Sequence, residues 1–151
     1  MDELECIKIR LALEDLNTAF AYHLDHNEVD ALVDLFTKDA ILVHGERCSE
    51  GRQAIHKLFN QRLADGPRTA RHMYSGLRLE IKNKDSAAGT SVCMTFAQNG
   101  MPPLTPAVPY LVADFEDSYV LCSDNKWRIS KRHIHRVFLD PENKGPVGYN
   151  Q

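Results

Sequence analysis

Residues 68–99, RTARHMYSGLRLEIKNKDSAAGTSVCMTFAQN, decide the fold class. They hold two long β-like runs on either side of Asn83-Lys84-Asp85, a group of residues typical of hairpin turns. Two further β-like runs follow, VPYLVADFEDSYVLCS at 108–123 and KWRISKRHIHRVFL at 126–139. They meet at a second turn-forming group, Ser123-Asp124-Asn125-Lys126. Gly100-Met101-Pro102-Pro103 makes the looser link between the two hairpins. The second half of the chain therefore reads as four antiparallel strands.

Upstream the period changes from two to between three and four. Ile9, Leu13, Leu16, Phe20 and Leu24 define one apolar face of a helix over Glu3–Leu24. Val29, Leu32, Val33 and Phe36 predict a second, short helix, with Asn27 as its N-cap. DAILVHG at 39–45 reads as a short strand, and Ser49-Glu50-Gly51 as a turn. GRQAIHKLFNQRLA at 51–64 gives a third helix, with Ile55, Leu58, Phe59, Arg62 and Leu63 on one side and a stop at Asp65-Gly66-Pro67. Helices grouped before strands indicate an α+β fold rather than an alternating α/β fold. The expected architecture is a cone-shaped α+β barrel, three N-terminal helices packed on a strongly curved, mostly antiparallel sheet. Its apolar interior and open mouth would suit a small molecule. The cone is expected over residues 1–139, and the Pro- and Gly-rich stretch at 140–151 as a C-terminal tail.

Bulk properties narrow the class. With 151 residues, 43% of them hydrophobic and 26% charged, the chain can bury one core. A net charge of −3 with no basic cluster argues against a nucleic-acid partner. No apolar run reaches membrane-span length, and the acidic, amphipathic start has no signal-like core, so a cytoplasmic protein is expected. Cys6, Cys48, Cys93 and Cys122 form no CxxC pair and read as reduced thiols.

Several letter groups resemble the SnoaL-like branch of the nuclear-transport-factor-2-like superfamily. They are Tyr22 and Asp25 at the end of the first helix, Val29-Asp30-Ala31-Leu32, and Leu35-Phe36-Thr37-Lys38-Asp39-Ala40. Gly51 to Ile55 and the closing Trp127 to Arg132 match as well. Within that group the pattern is similar to scytalone dehydratase and hexachlorocyclohexane dehydrochlorinase. The resemblance implies a His–Asp pair inside the cone that removes a proton, falling here on His72 and Asp25. It places Arg132 of the closing strand, and with less direct spacing Tyr22, near the developing anion or leaving group. The dehydrochlorinase carries a lysine five residues before its aspartate; Phe20 stands there in this chain, which argues against halide departure.

The implied activity is that of a cofactor-free lyase or isomerase, dehydratase-like, acting on a small cyclic or polyketide-like molecule. Histidine is well suited to this chemistry, because it titrates near neutrality and a carboxylate can fix its tautomer. The alternative is a non-catalytic binding or accessory subunit, resembling the β subunits of ring-hydroxylating dioxygenases. The pocket is expected to be lined by Phe20, Leu24, Phe36, Phe59, Met94, Phe96 and Tyr110, with His44 near its mouth. Strand parity poses a problem: Leu77, Leu79 and Ile81 alternate with Met73, which puts His72 on the other face. Either that leucine face is the outer one, or a bulge at Ser75-Gly76 resets the count. In the last strand Arg132, Ile134 and Arg136 share one face, and Trp127, Ile129, Lys131, His133 and His135 the other. His133 and His135 have a metal-binding spacing, but the sequence shows no third ligand, and no metal or cofactor is expected. The uncovered sheet face predicts a homodimer or homotrimer.

Overall fold

A computed structural model describes residues 1–64 and 66–142 of the chain. The tail, from residue 143 on, and Asp65 of the helix stop lie outside the described residues. The elements are α1 (Glu3–Asp25), α2 (Val29–Asp34), β1 (Phe36–His44), β2 (Arg47–Glu50), α3 (Gly51–Gln61), β3 (Arg68–Asn83), β4 (Ser86–Asn99), β5 (Leu111–Leu121) and β6 (Trp127–Leu139). The strands form one open sheet in the order β2-β1-β6-β5-β4-β3. All neighbours are antiparallel except β1 and β6, which run parallel. Three helices cover one face, which gives the α+β cone; the sheet does not close into a barrel.

Local sequence explains most of the boundaries. Asp2 and Glu5 form a reciprocal capping box at the start of α1, with bonds of 2.7 and 2.9 Å. Ile9, Leu13, Leu16, Phe20 and Leu24 are buried, as their spacing requires. Asn27 does not cap α2. It adopts φ +57, a left-handed conformation that asparagine tolerates, and its side-chain amide donates to the Arg68 carbonyl at 3.3 Å. That bond ties the end of α1 to the first residue of β3. Ser49 and Glu50 belong to β2 rather than to a turn, and Phe36 opens β1 rather than closing α2.

Two bulges set which side chains face the helices. In β3 the register shifts between Ser75 and Arg78, and Gly76 there has φ +69. An extra residue moves the count by one, so Arg68, Ala70, His72 and Tyr74 share the inner face with Leu77, Leu79 and Ile81. The bulge is thus how β3 resolves its parity problem. In β6 the register shifts opposite Ser118 and Tyr119. Ile129, expected to face outward with Lys131, is instead fully buried on the same side as Arg132.

Candidate functional site

Asp25 is the last residue of α1, and His72 sits on β3, the edge strand of the sheet. An edge strand leaves every second backbone N–H without a strand partner. Asp25 Oδ2 accepts the N–H of His72 at 3.0 Å. Asp25 Oδ1 lies 2.5 Å from His72 Nδ1. One carboxylate therefore holds both the backbone and the ring of the same residue. The two side chains are 8% and 11% exposed, so little water competes for these bonds. Because an ionised carboxylate only accepts, Nδ1 carries the proton, and Nε2 is left as the basic atom.

Burial lowers the pKa of His72. The hydrogen bond and the charge of Asp25 oppose this, while the Arg62 and Arg68 guanidinium groups reinforce it. The ring is thereby kept neutral and able to accept a proton at physiological pH.

His72 lines an internal cavity of about 40 Å³. Phe20, Leu24, His44, Phe59 and Tyr110 lie on its wall, where the sequence placed them. Three expected lining residues do not. Phe36 is fully buried, but in the core away from the wall. Met94 and Phe96 point to the opposite side of β4, because Cys93, Thr95 and Ala97 take the inner positions. Thr95 and Ala97 supply that part of the wall.

Arg47, Arg62 and Arg68 also line the cavity, from β2, the end of α3 and the start of β3. Sequence reading overlooked them as site residues. Arg62 nevertheless carried a signal: it interrupts the apolar side formed by Ile55, Leu58 and Phe59, and it is only 6% exposed. Burial, then the charges of Arg136 and Arg47, push His44 down from 6.5 to about 3. It is a neutral wall residue at any physiological pH.

Two of the proposed catalytic positions lie elsewhere. Tyr22 is 53% exposed and stacks on His26, with ring centroids 4.0 Å apart, outside the cavity. Arg132 faces inward but does not reach the cavity wall. Its guanidinium lies behind the aromatic layer, 4.3 Å from the Phe20 ring and 4.6 Å from the Phe115 ring. It forms a two-pronged bond with Asp117 at 2.8 and 2.9 Å and donates to Asn17 Oδ1. Tyr119 donates to Asp117 at 2.7 Å, and Asn17 bonds Tyr119 and the Leu13 carbonyl. Desolvation disfavours the Arg132 charge, but Asp117 outweighs it and the pKa is raised. This network joins α1 to β5 and β6 beneath the site.

An open, mixed six-stranded sheet covered on one face by three helices is the nuclear-transport-factor-2-like fold. The SnoaL-like domain model matches residues 6–133, so the chain belongs to the SnoaL-like family. A protein of Novosphingobium aromaticivorans DSM 12444, provisionally named a scytalone dehydratase, is 21% identical over 100% of both chains, with a TM-score of 0.79. ActVI-ORFA from Streptomyces coelicolor is 15% identical, with 89% of this chain and 99% of that one covered, at a TM-score of 0.77. A single-residue variant of Rv3472, a protein of unknown function from Mycobacterium tuberculosis, is 18% identical over 93% of this chain and 83% of its own, at a TM-score of 0.75. Likeness at these identities is a likeness of fold. No curated protein sequence matches the chain. Among the described residues no helix is long and apolar enough to cross a membrane.

Proposed function

We propose that the protein is a cytoplasmic, cofactor-free lyase or isomerase of the dehydratase kind, acting on a small cyclic or polyketide-like molecule. The observation that carries this reading is the doubly anchored Asp25–His72 pair, with His72 on the wall of a cavity lined by apolar side chains and three arginines. His72 Nε2 removes a proton from carbon, and Asp25 holds the ring and stabilises the imidazolium that forms. The electrons of the broken C–H bond move toward an adjacent carbonyl, which becomes an enolate. A β-hydroxyl can then leave as water, taking the proton back from His72, or the proton returns to a different carbon.

Positive charge at the wall favours the enolate. Arg62 and Arg68 are close enough to act on the charge of His72, so they are placed to act on an oxyanion beside it. They take over the role that the resemblance assigned to Arg132. A cavity of about 40 Å³ has room for about one water. A ring-sized substrate must therefore displace wall side chains. Exposed Met73, Val92, Val137, Phe138 and Leu139 on the outer side and final strand support the reading that the protein works as a homodimer or homotrimer.

The test is proton exchange in D₂O. Cyclic β-hydroxyketones are incubated with the protein, and deuterium uptake at the α-carbon and loss of water are followed by NMR. Wild type should promote exchange, and His72→Gln should return it to the buffer rate. Equal rates for the two proteins would defeat the mechanism and leave a binding or accessory role.

A further inference from the structure

The outer face of the sheet holds a second cluster of chemistry-bearing groups, which the proton-transfer reading does not use. In β6, His133 and His135 are two residues apart and share a face, opposite to Ile134. In the antiparallel neighbour β5, Glu116 stands directly across from His133, and Asp114 across from His135. The missing third ligand thus comes from the adjacent strand, where a linear reading of β6 does not find it.

The geometry is close to that of a bound cation. The two imidazole centroids are 3.8 Å apart. His135 Nε2 lies 3.0 Å from Glu116 Oε2. One ligand atom from each of Glu116, His133 and His135 falls within 4.8 Å of the other two. A tetrahedral ion with bonds near 2.05 Å separates its ligand atoms by about 3.3 Å. The His135–Glu116 edge already fits. The longer edges close by rotation of side chains that have room to move, since His135 is 44% and Glu116 67% exposed.

We propose that Glu116, His133 and His135 form a binding site for a divalent first-row transition cation of the zinc class. Two imidazoles and one carboxylate suit Zn²⁺, Ni²⁺ or Cu²⁺, whereas Mg²⁺ and Ca²⁺ require more oxygen. The ligands stand on paired strands of one sheet, so their backbone positions are set before the ion arrives. Three protein ligands leave at least one position for water. Lys131, on the same strand face two residues from His133, weakens the site, and Asp114 offsets that charge. An ion here clips β5 to β6 and stabilises the cone.

The experiment uses the full chain with any affinity tag removed. ZnCl₂ is titrated in competition with a fluorescent chelator, with NiCl₂ and MgCl₂ in parallel. Wild type is expected to take one equivalent of Zn²⁺, to bind Ni²⁺, to ignore Mg²⁺, and to melt at a higher temperature with zinc present. The His133→Gln/His135→Gln variant should bind at least tenfold more weakly and lose the zinc-dependent rise in Tm, while melting like wild type without metal. Glu116→Gln should weaken binding as well, because an amide is a poorer donor. Equal zinc affinity in wild type and the double variant would overturn the proposal, as would Mg²⁺ competing as well as Zn²⁺, or no one-equivalent binding by wild type. Every outcome is read without substrate, so it is independent of the proton-transfer reading.

Discussion

Replacing Asp25 with asparagine removes the negative charge beside His72 and keeps nearly the same shape. The carboxylate oxygen is 2.5 Å from Nδ1, so the centres of the two delocalised charges are about 4 Å apart. At an effective dielectric constant near 20, one unit charge stabilises another at that distance by about 4 kcal/mol. Since about 1.4 kcal/mol corresponds to tenfold, Asp25→Asn should lower the proton affinity of His72 by up to about a thousandfold. Burial, the largest influence on His72, is unchanged by the substitution, while the charge of Asp25 is lost and its hydrogen bond is reduced to one with a neutral amide oxygen. The midpoint therefore moves further down. Long-range ¹H–¹⁵N NMR reads both ring nitrogens of each histidine across a pH series, and a His72→Gln spectrum assigns the signal. Wild-type His72 should titrate below 6.5 and carry its proton on Nδ1 when neutral. In Asp25→Asn the titration should fall at least tenfold in proton affinity, and the tautomer preference should weaken. Enolisation should slow by about a hundred- to a thousandfold, because the imidazolium forming in the transition state loses the same support. An unchanged or raised midpoint in the variant, or a neutral wild-type ring protonated on Nε2, would refute the pairing as a catalytic device.

Arg132→Met should cost about 3–5 kcal/mol in urea denaturation, because it leaves the fully buried Asp117 without its counter-ion. Adding Asp117→Asn to that variant should recover part of the loss, whereas a purely catalytic Arg132 would leave stability unaltered. His44 adds a pH dependence: its folded pKa, about 3, lies below the unfolded 6.5, so between those values the unfolded chain binds the extra proton. Its contribution is intact above pH 6.5 and declines as pH falls, by about 3 kcal/mol at pH 4.5. His44→Leu should flatten that slope in paired urea titrations at pH 7 and 4.5. Tyr22→Phe should leave the exchange rate within about twofold of wild type, since the exposed ring is outside the cavity; a hundredfold loss would place the hydroxyl at the reacting atoms.

Legibility from sequence followed the range of the physics involved. The α1 face from Ile9 to Leu24 was visible because helical periodicity is local, and the order of helices and strands sufficed for the α+β class. Asp25 and His72 were identified through the family pattern, since they are far apart in the chain and no periodicity links them. What the sequence hid was mostly parity. A strand reads correctly only until a bulge: the one at Ser75–Arg78 decided between two faces that the sequence left open, and the one at Ser130 moved Ile129 to the face opposite the one counted. Met94 and Phe96 were assigned to the inner face in error for a related reason. Both faces of β4 carry apolar side chains, so hydrophobicity cannot say which face is inside.

Charge was the other source of error, because a buried charge is read correctly only when its partner is known. Arg132 looked like a reagent because the family pattern placed it on the inner face. Its actual environment depends on Asp117, which pairs with it across β5 and β6, and on Asn17 from α1. In the sequence Arg62 reads only as part of the apolar side of the third helix and Arg68 only as a strand residue, yet they flank His72. The proposed exchange of roles rests on which arginines line the cavity beside His72. An arginine locked between two aromatic rings and a carboxylate has its charge neutralised on the spot and holds the cone together. Under the proposed function, an arginine at the cavity wall beside His72 is placed to act on a forming oxyanion. In the proposed mechanism the same residue type serves the scaffold in one layer and the chemistry in the next.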